Sequence, residues 1–243
     1  MGALAAGFWG FVGGASLLVG ALVGVYAGAS KRTIATVMAL GAGVLISSVA
    51  FELMDEAYQL GGFDASALGL LLGAVAFFLA DRAVNRRGGA RRKNPADKQG
   101  DSASAIAIGA LMDGIPESAA IGISLLDGGN ISAALVAAVF LSNVPEGLSS
   151  ASGMKQAGRS TAHILGLWIG VTLVSALAAL LGYYFLAGAS EDVIALIQAF
   201  AAGAILTMLA STMMPEAYEE GGEVVGIVTA AGFLLSFVLS HLE

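Results

Sequence analysis

Apolar residues run along this chain in long unbroken stretches, separated by short polar words. Stretches at about 4–27, 34–58, 65–84, 103–125, 131–154, 160–187, 192–215 and 223–242 each hold roughly 18 to 25 residues, enough to cross about 30 Å of hydrocarbon as a helix. The pattern predicts an all-α polytopic membrane protein of eight transmembrane helices. The connections are short except for Asn85 to Asp101, NRRGGARRKNPADKQGD, whose Arg, Lys, Gly and Pro read as a mobile polar linker. The chain thus divides into spans one to three (1–84), a cytoplasmic basic loop (85–102), central spans four and five (103–154) and spans six to eight (155–243).

Composition agrees with that pattern. With 57% hydrophobic residues, 12% charged residues and a mean hydropathy of +0.84, the chain lacks the polar surface a soluble domain needs. Its 34 glycines against 4 prolines suit membrane helices, which pack closely through small residues. The absence of cysteine excludes thiolate ligands, disulfides and thiol catalysis. The first apolar stretch has no basic segment before it and no cleavage site after it, so it is expected to remain as the first helix.

All eleven Lys and Arg residues fall in three places: Lys31–Arg32, Arg82 to Lys98, and Lys155 with Arg159. These are alternate loops, and the positive-inside bias puts them in the cytoplasm, with both termini outside a cell (inner) membrane. Asp64, Asp127, Glu191 and Asp192 fall on the opposite side.

An internal repeat is written into the second and seventh spans. Asp55-Glu56-Ala57-Tyr58 followed by Gly61-Gly62 matches Pro215-Glu216-Ala217-Tyr218 followed by Gly221-Gly222, at an offset of 160 that also relates Ala42-Gly43 to Ala202-Gly203. These two spans run in opposite directions. An inverted repeat is expected, with spans one to three and six to eight arranged around spans four and five.

The central pair holds the candidate chemistry. Asp113-Gly114-Ile115-Pro116-Glu117-Ser118 and Ser142-Asn143-Val144-Pro145-Glu146-Gly147 share the frame polar-x-x-Pro-Glu-small. Asp113 and Glu117 lie four apart on one helix face, as do Ser142 and Glu146, with Asn143 close by. Each proline frees the carbonyl four residues back, at Met112 and Leu141. An aspartate at a helix centre costs about 2.5 to 3.5 kcal/mol on insertion scales. No Lys or Arg lies at this depth, which leaves protonation, water or a bound cation to offset the cost. A divalent cation satisfies three carboxylates at once, whereas protonated carboxyls bonded between helices are the structural alternative.

These two words resemble the ZIP family of metal transporters, whose fourth and fifth spans carry His-Asn-x-Pro-Glu-Gly and related motifs around a metal site. Eight spans, external termini and a long basic loop after the third span match as well, so the resemblance extends over the whole chain. It implies metal binding at Asp113, Glu117, Ser142 and Glu146, with Asn143 as an additional ligand, and a homodimer. The chain departs from the pattern where Asp113 and Ser142 replace the motif histidines and Gly114 replaces an asparagine, and its sixth span has no acid. An all-oxygen donor set suits magnesium, calcium and manganese better than zinc.

The expected function is passage of a divalent cation, such as zinc, manganese, iron or cadmium, into the cytoplasm. The cation is cargo rather than a catalytic cofactor, and the chain is not read as an enzyme or a nucleic-acid binder. Membrane potential supplies about 2.3 kcal/mol per charge at 100 mV. Glu52 on the second span and Glu216 on the seventh are the further pathway candidates, toward the outer entrance and the cytoplasmic exit. A proton-coupled carrier of a small organic solute, and an intramembrane hydrolase using Asp113 with another acid, are the alternative readings.

Overall fold

The computed structural model describes residues 2–84, 86, 102–126 and 131–241, with the side chains of 102–107, 113, 133 and 134 outside that description. The basic loop expected at 85–102 therefore lies almost wholly outside the described residues. The elements are α1 (Gly2–Tyr26), α2 (Lys31–Ser48), α3 (Asp55–Val84), α4 (Ser102–Ser124), α5 (Ala133–Gln156), α6 (Thr161–Leu186), α7 (Glu191–Met208), α8 (Met214–Gly221) and α9 (Val224–Ser240). Serine hydroxyls cap three of them. The hydroxyls of Ser30, Ser132 and Ser160 accept from the amides of Thr33, Leu135 and His163 at 3.1 to 3.2 Å, each satisfying a donor that the first helical turn leaves unpaired.

Two helices widen before they end. α2 passes into α3 through a π-helical turn at Val49–Met54, and α7 passes into α8 through another at Leu209–Met213. Such a turn displaces carbonyls from their regular partners and is common at functional sites. Neither was foreseen from sequence, where these stretches read as uninterrupted spans.

Among the described residues, four continuous helical stretches are long and apolar enough to cross a bilayer: Gly2–Tyr26, Lys31–Val84, Thr161–Leu186 and Glu191–Gly221. The second holds 54 residues and would reach about 80 Å if straight. It is not straight. Gly62 takes φ 66° and ψ −166°, a conformation open to glycine alone among common residues, and the chain turns back there. Contacts along α7 record the reversal. Glu56 meets Gln198 and Gly61 meets Ala195, whereas farther along Gly69 meets Leu196 and Gly73 meets Phe200. The loop expected between spans 34–58 and 65–84 is thus a single glycine in a helical run.

The helices pack in two groups. α1 lies along α5 and α6, and α6 lies along α4; separately, α3 lies along α7, and α2 along α9 and α8. The groups meet chiefly where α2 runs beside α5 and α4 beside α7, while α4 and α5 touch each other only lightly. Leu4, Phe8, Phe63, Leu71, Phe185 and Ile227 face outward at more than half exposure, an apolar exterior that fits a multi-pass membrane protein.

Features 160 residues apart recur in space. Gly222 has φ 70° and ψ −153°, close to Gly62, and the π-helical turns begin at residues 49 and 209. Residues 51–60 and 211–220 share the same order of buried, half-buried and exposed positions. Gly43 packs on the Thr229 carbonyl and Gly203 on that of Leu70; Gly232 packs on Leu40 and Gly73 on Phe200. Each half therefore supplies glycines that receive the other half's backbone.

Candidate cation site

The two proline-containing helices keep their helical course through Pro116 and Pro145. Glu117 is 1% exposed and Glu146 6% exposed, so both carboxyl groups are turned into protein rather than toward lipid. Asp113 stands on α4 one turn before Glu117, and its side chain lies outside the described residues. Among the described residues no three Asp, Glu or His side chains converge closely enough to hold a metal ion.

Polar groups beside Glu146 are anchored to neighbouring backbone. The Ser142 hydroxyl donates to the Val139 carbonyl at 3.0 Å, leaving its oxygen lone pairs able to face a cation. Asn143, 2% exposed, donates its amide nitrogen to the Gly13 carbonyl of α1 at 3.2 Å, so its Oδ1 is the atom left to accept. On the other side of α1, Thr172 of α6 donates to the Gly14 carbonyl at 3.0 Å. Two successive carbonyls of α1 thus hold α5 and α6 in register beside the acids.

Helix packing adds a relation that the motif alone conceals. Gly147 of α5 receives the Leu17 carbonyl of α1, and Gly122 of α4 receives the Ala179 carbonyl of α6, 25 residues earlier. Gly20 against Val144 and Gly182 against Ala119 repeat that interval. Since α1 runs parallel to α5 and antiparallel to α6, and α4 runs parallel to α6, α4 and α5 run in opposite directions, and the repeated interval is a likeness of packing rather than a shared depth.

Glu52 lies in the first π-helical turn, half-buried. Its Oε2 accepts from Ser132 at 2.7 Å, and its Oε1 accepts from the Ser240 hydroxyl at the end of α9. One turn on, Glu56 accepts from the amide of Gln198, which is fully buried and also reaches the Glu52 carbonyl at 3.5 Å. Glu52 is the member of this cluster that the sequence marks as a pathway candidate; Ser132, Gln198 and Ser240 join it only through the fold. Gln198 had a signal, being an amide two turns inside an apolar span; the serines had none, because what marks them is contact across the fold.

At the other end of α2 a cavity opens between α2, α5 and α8. Its polar wall includes Ser149, Ser152 and Gln156, its apolar wall Ile34 and Met38, and its acidic rim Glu216, Glu219 and Glu220. Lys31 reaches across that rim to Glu220 at 2.9 Å. Glu216, one of the two pathway candidates, thus lines a cavity, whereas Glu56, its counterpart 160 residues earlier, is closed over by Gln198.

No protein-family model matches the chain, and no curated protein matches it.

Proposed function

We propose that the chain carries a divalent metal cation across the membrane into the cytoplasm, in the manner of the ZIP transporters its central motifs resemble. The observation that carries this reading is the burial of Glu117 and Glu146 on two proline-containing helices inside an apolar bundle. Charged oxygens at such depth call for protonation, water or a cation. The resemblance adds Asp113, Ser142 and Asn143 as further oxygen donors, and a donor set of oxygens alone favours manganese over zinc.

Eight membrane crossings fit the directions of packing. α1 runs parallel to α5 and antiparallel to α6, α4 parallel to α6, and the second limb of α3 parallel to α7, as alternating crossings require. The features recurring at 160 residues are then an inverted repeat, the architecture of carriers with a site near the midplane. In this reading the group of α1, α4, α5 and α6 shifts against the group of α2, α3, α7, α8 and α9. The cavity at Glu216 is the cytoplasmic exit and Glu52 stands at the outer entrance.

Glu117→Ala combined with Glu146→Ala is expected to abolish manganese uptake into proteoliposomes while the protein remains folded by circular dichroism and gel filtration. Undiminished uptake by that double variant would overturn the assignment. Flux of an organic solute with no metal dependence would favour the proton-coupled carrier instead.

A further inference from the structure

We propose that Ser132 couples the outer carboxylate of Glu52 to α5, so that a cation captured by Glu52 releases the helix that carries Ser142, Asn143 and Glu146. The inference rests on the cation-transport reading above and names the residue that ties arrival of the cargo to movement of the site.

The Ser132 hydroxyl has two duties. It caps α5 by accepting from the Leu135 amide at 3.1 Å, and it donates to Glu52 Oε2 at 2.7 Å. The first bond lies within α5; the second crosses from α5 to the π-helical turn after α2, hence from one packed group to the other. Glu52 is held independently by Ser240, so its position does not depend on Ser132. The two ends of the α2–α5 seam differ accordingly: the Glu52–Ser132 bond closes one, and the cavity lined by Met38, Ser149 and Ser152 opens the other.

Charge explains why a cation acts on this contact. A carboxylate beside the N-terminus of a helix is attracted by the partial positive charge there, and α5 is 24 residues long. A divalent ion on Glu52 turns a local charge of minus one into plus one. The attraction becomes repulsion, and the ion competes with the Ser132 hydroxyl for the same carboxylate oxygens. Both effects push the start of α5 away from α2.

The cysteine-free chain allows a direct test. Val136, one turn along α5 from Ser132, is 7% exposed and packs in the same apolar cluster as Val49 and Leu53. Val136→Cys in the full-length protein, treated with a maleimide, reports opening of the seam. Ser132→Gly keeps an acceptable cap but removes the hydroxyl, and is expected to raise the labelling rate about tenfold, the scale of one lost charge-assisted hydrogen bond. Ser132→Thr, which retains both bonds, is expected to label as slowly as the parent. Manganese alone is expected to accelerate labelling of the parent and to lose that effect in Glu52→Gln. Equal, slow labelling of the Gly and Thr variants overturns the coupling, and so does a manganese response that survives in Glu52→Gln. Manganese uptake by the unlabelled chain is read in parallel. A chain that moves no manganese, yet opens on Ser132→Gly, refutes the transport reading and retains the link between Ser132 and Glu52.

Discussion

Gly203 lies so close to the carbonyl oxygen of Leu70 that a Cβ added to it would come within 2.0 Å, and Gly43 stands in the same relation to Thr229 at 1.9 Å. Contacts of that kind let two helices meet backbone to backbone, where dispersion and weak Cα–H···O contacts replace side-chain packing. Because the obstructing atoms are backbone, they cannot rotate aside. Gly203→Ala and Gly43→Ala are therefore expected to destabilise the protein by about 1–3 kcal/mol each, the usual cost of overpacking. Gly170, with nothing within 4 Å of an added Cβ, should tolerate alanine with no loss. Unfolding of the three variants in detergent, followed by circular dichroism, checks the contrast.

Burial of Glu117 and Glu146 bears on ligand-linked stability. If the pair helps to hold a cation, manganese stabilises the folded state by mass action, by about 2.7 kcal/mol at a hundred times its Kd. Glu117→Gln with Glu146→Gln keeps the volume and removes both charges, so the manganese-dependent rise in Tm is expected to vanish. Zinc is expected to give a smaller rise than manganese, since the donors are oxygens and no imidazole stands beside them. A Tm rise for manganese that is as large in the double variant as in the parent would place the cation elsewhere.

The apolar stretches and the 160-residue repeat were legible because each rests on local sequence: hydrophobic length, and the shared Glu-Ala-Tyr followed by a glycine pair. The same word marks Gly62 and Gly222, both expected in loops between spans; Gly222 does end its helix, whereas at Gly62 the helix continues to the glycine and resumes beyond it. The π-helical turns were not legible, since Val49–Met54 and Leu209–Met213 share no residue type that demands an extra residue in the hydrogen-bonded turn. Nor was the grouping of α1 and α6 with α4 and α5, which depends on which glycine meets which carbonyl. Glu52 could be seen as an acid in an apolar span; its partners Ser132 and Ser240 lie 80 and 188 residues away.

Lys31 and Glu220 pair across the mouth of the cavity with side chains 63% and 32% exposed. At such exposure a salt bridge contributes about 0–1 kcal/mol and is weakened further by salt. Lys31→Met is accordingly expected to leave the unfolding midpoint within about 4 °C of the parent, given an effect under about 1 kcal/mol. Its effect on ions should be larger than its effect on stability, because one positive charge leaves a rim that keeps Glu216, Glu219 and Glu220. On the cation-transport reading, manganese uptake by Lys31→Met is expected to slow at saturation, because a cation would linger at the more negative mouth, with Lys31→Arg restoring the parent rate.

Gln198 and Met38 hold equivalent places, 160 residues apart, and their difference accounts for the different state of the two ends. Gln198 is fully buried and gives its amide to Glu56, whereas Met38 has no donor to offer Glu216 and lines the cavity instead. Gln198→Met is close in volume but strips a hydrogen bond from a carboxylate, a loss worth about 1.5–3 kcal/mol for a charged partner. The same change made with Glu56→Gln in place should cost less, since the neutral amide no longer requires that donor. A double-mutant cycle over Gln198 and Glu56, measured by detergent unfolding, is therefore expected to give a coupling of about 1 kcal/mol or more. A coupling near zero would mean that Gln198 fills space at that end of α2 and leaves Glu56 to other partners.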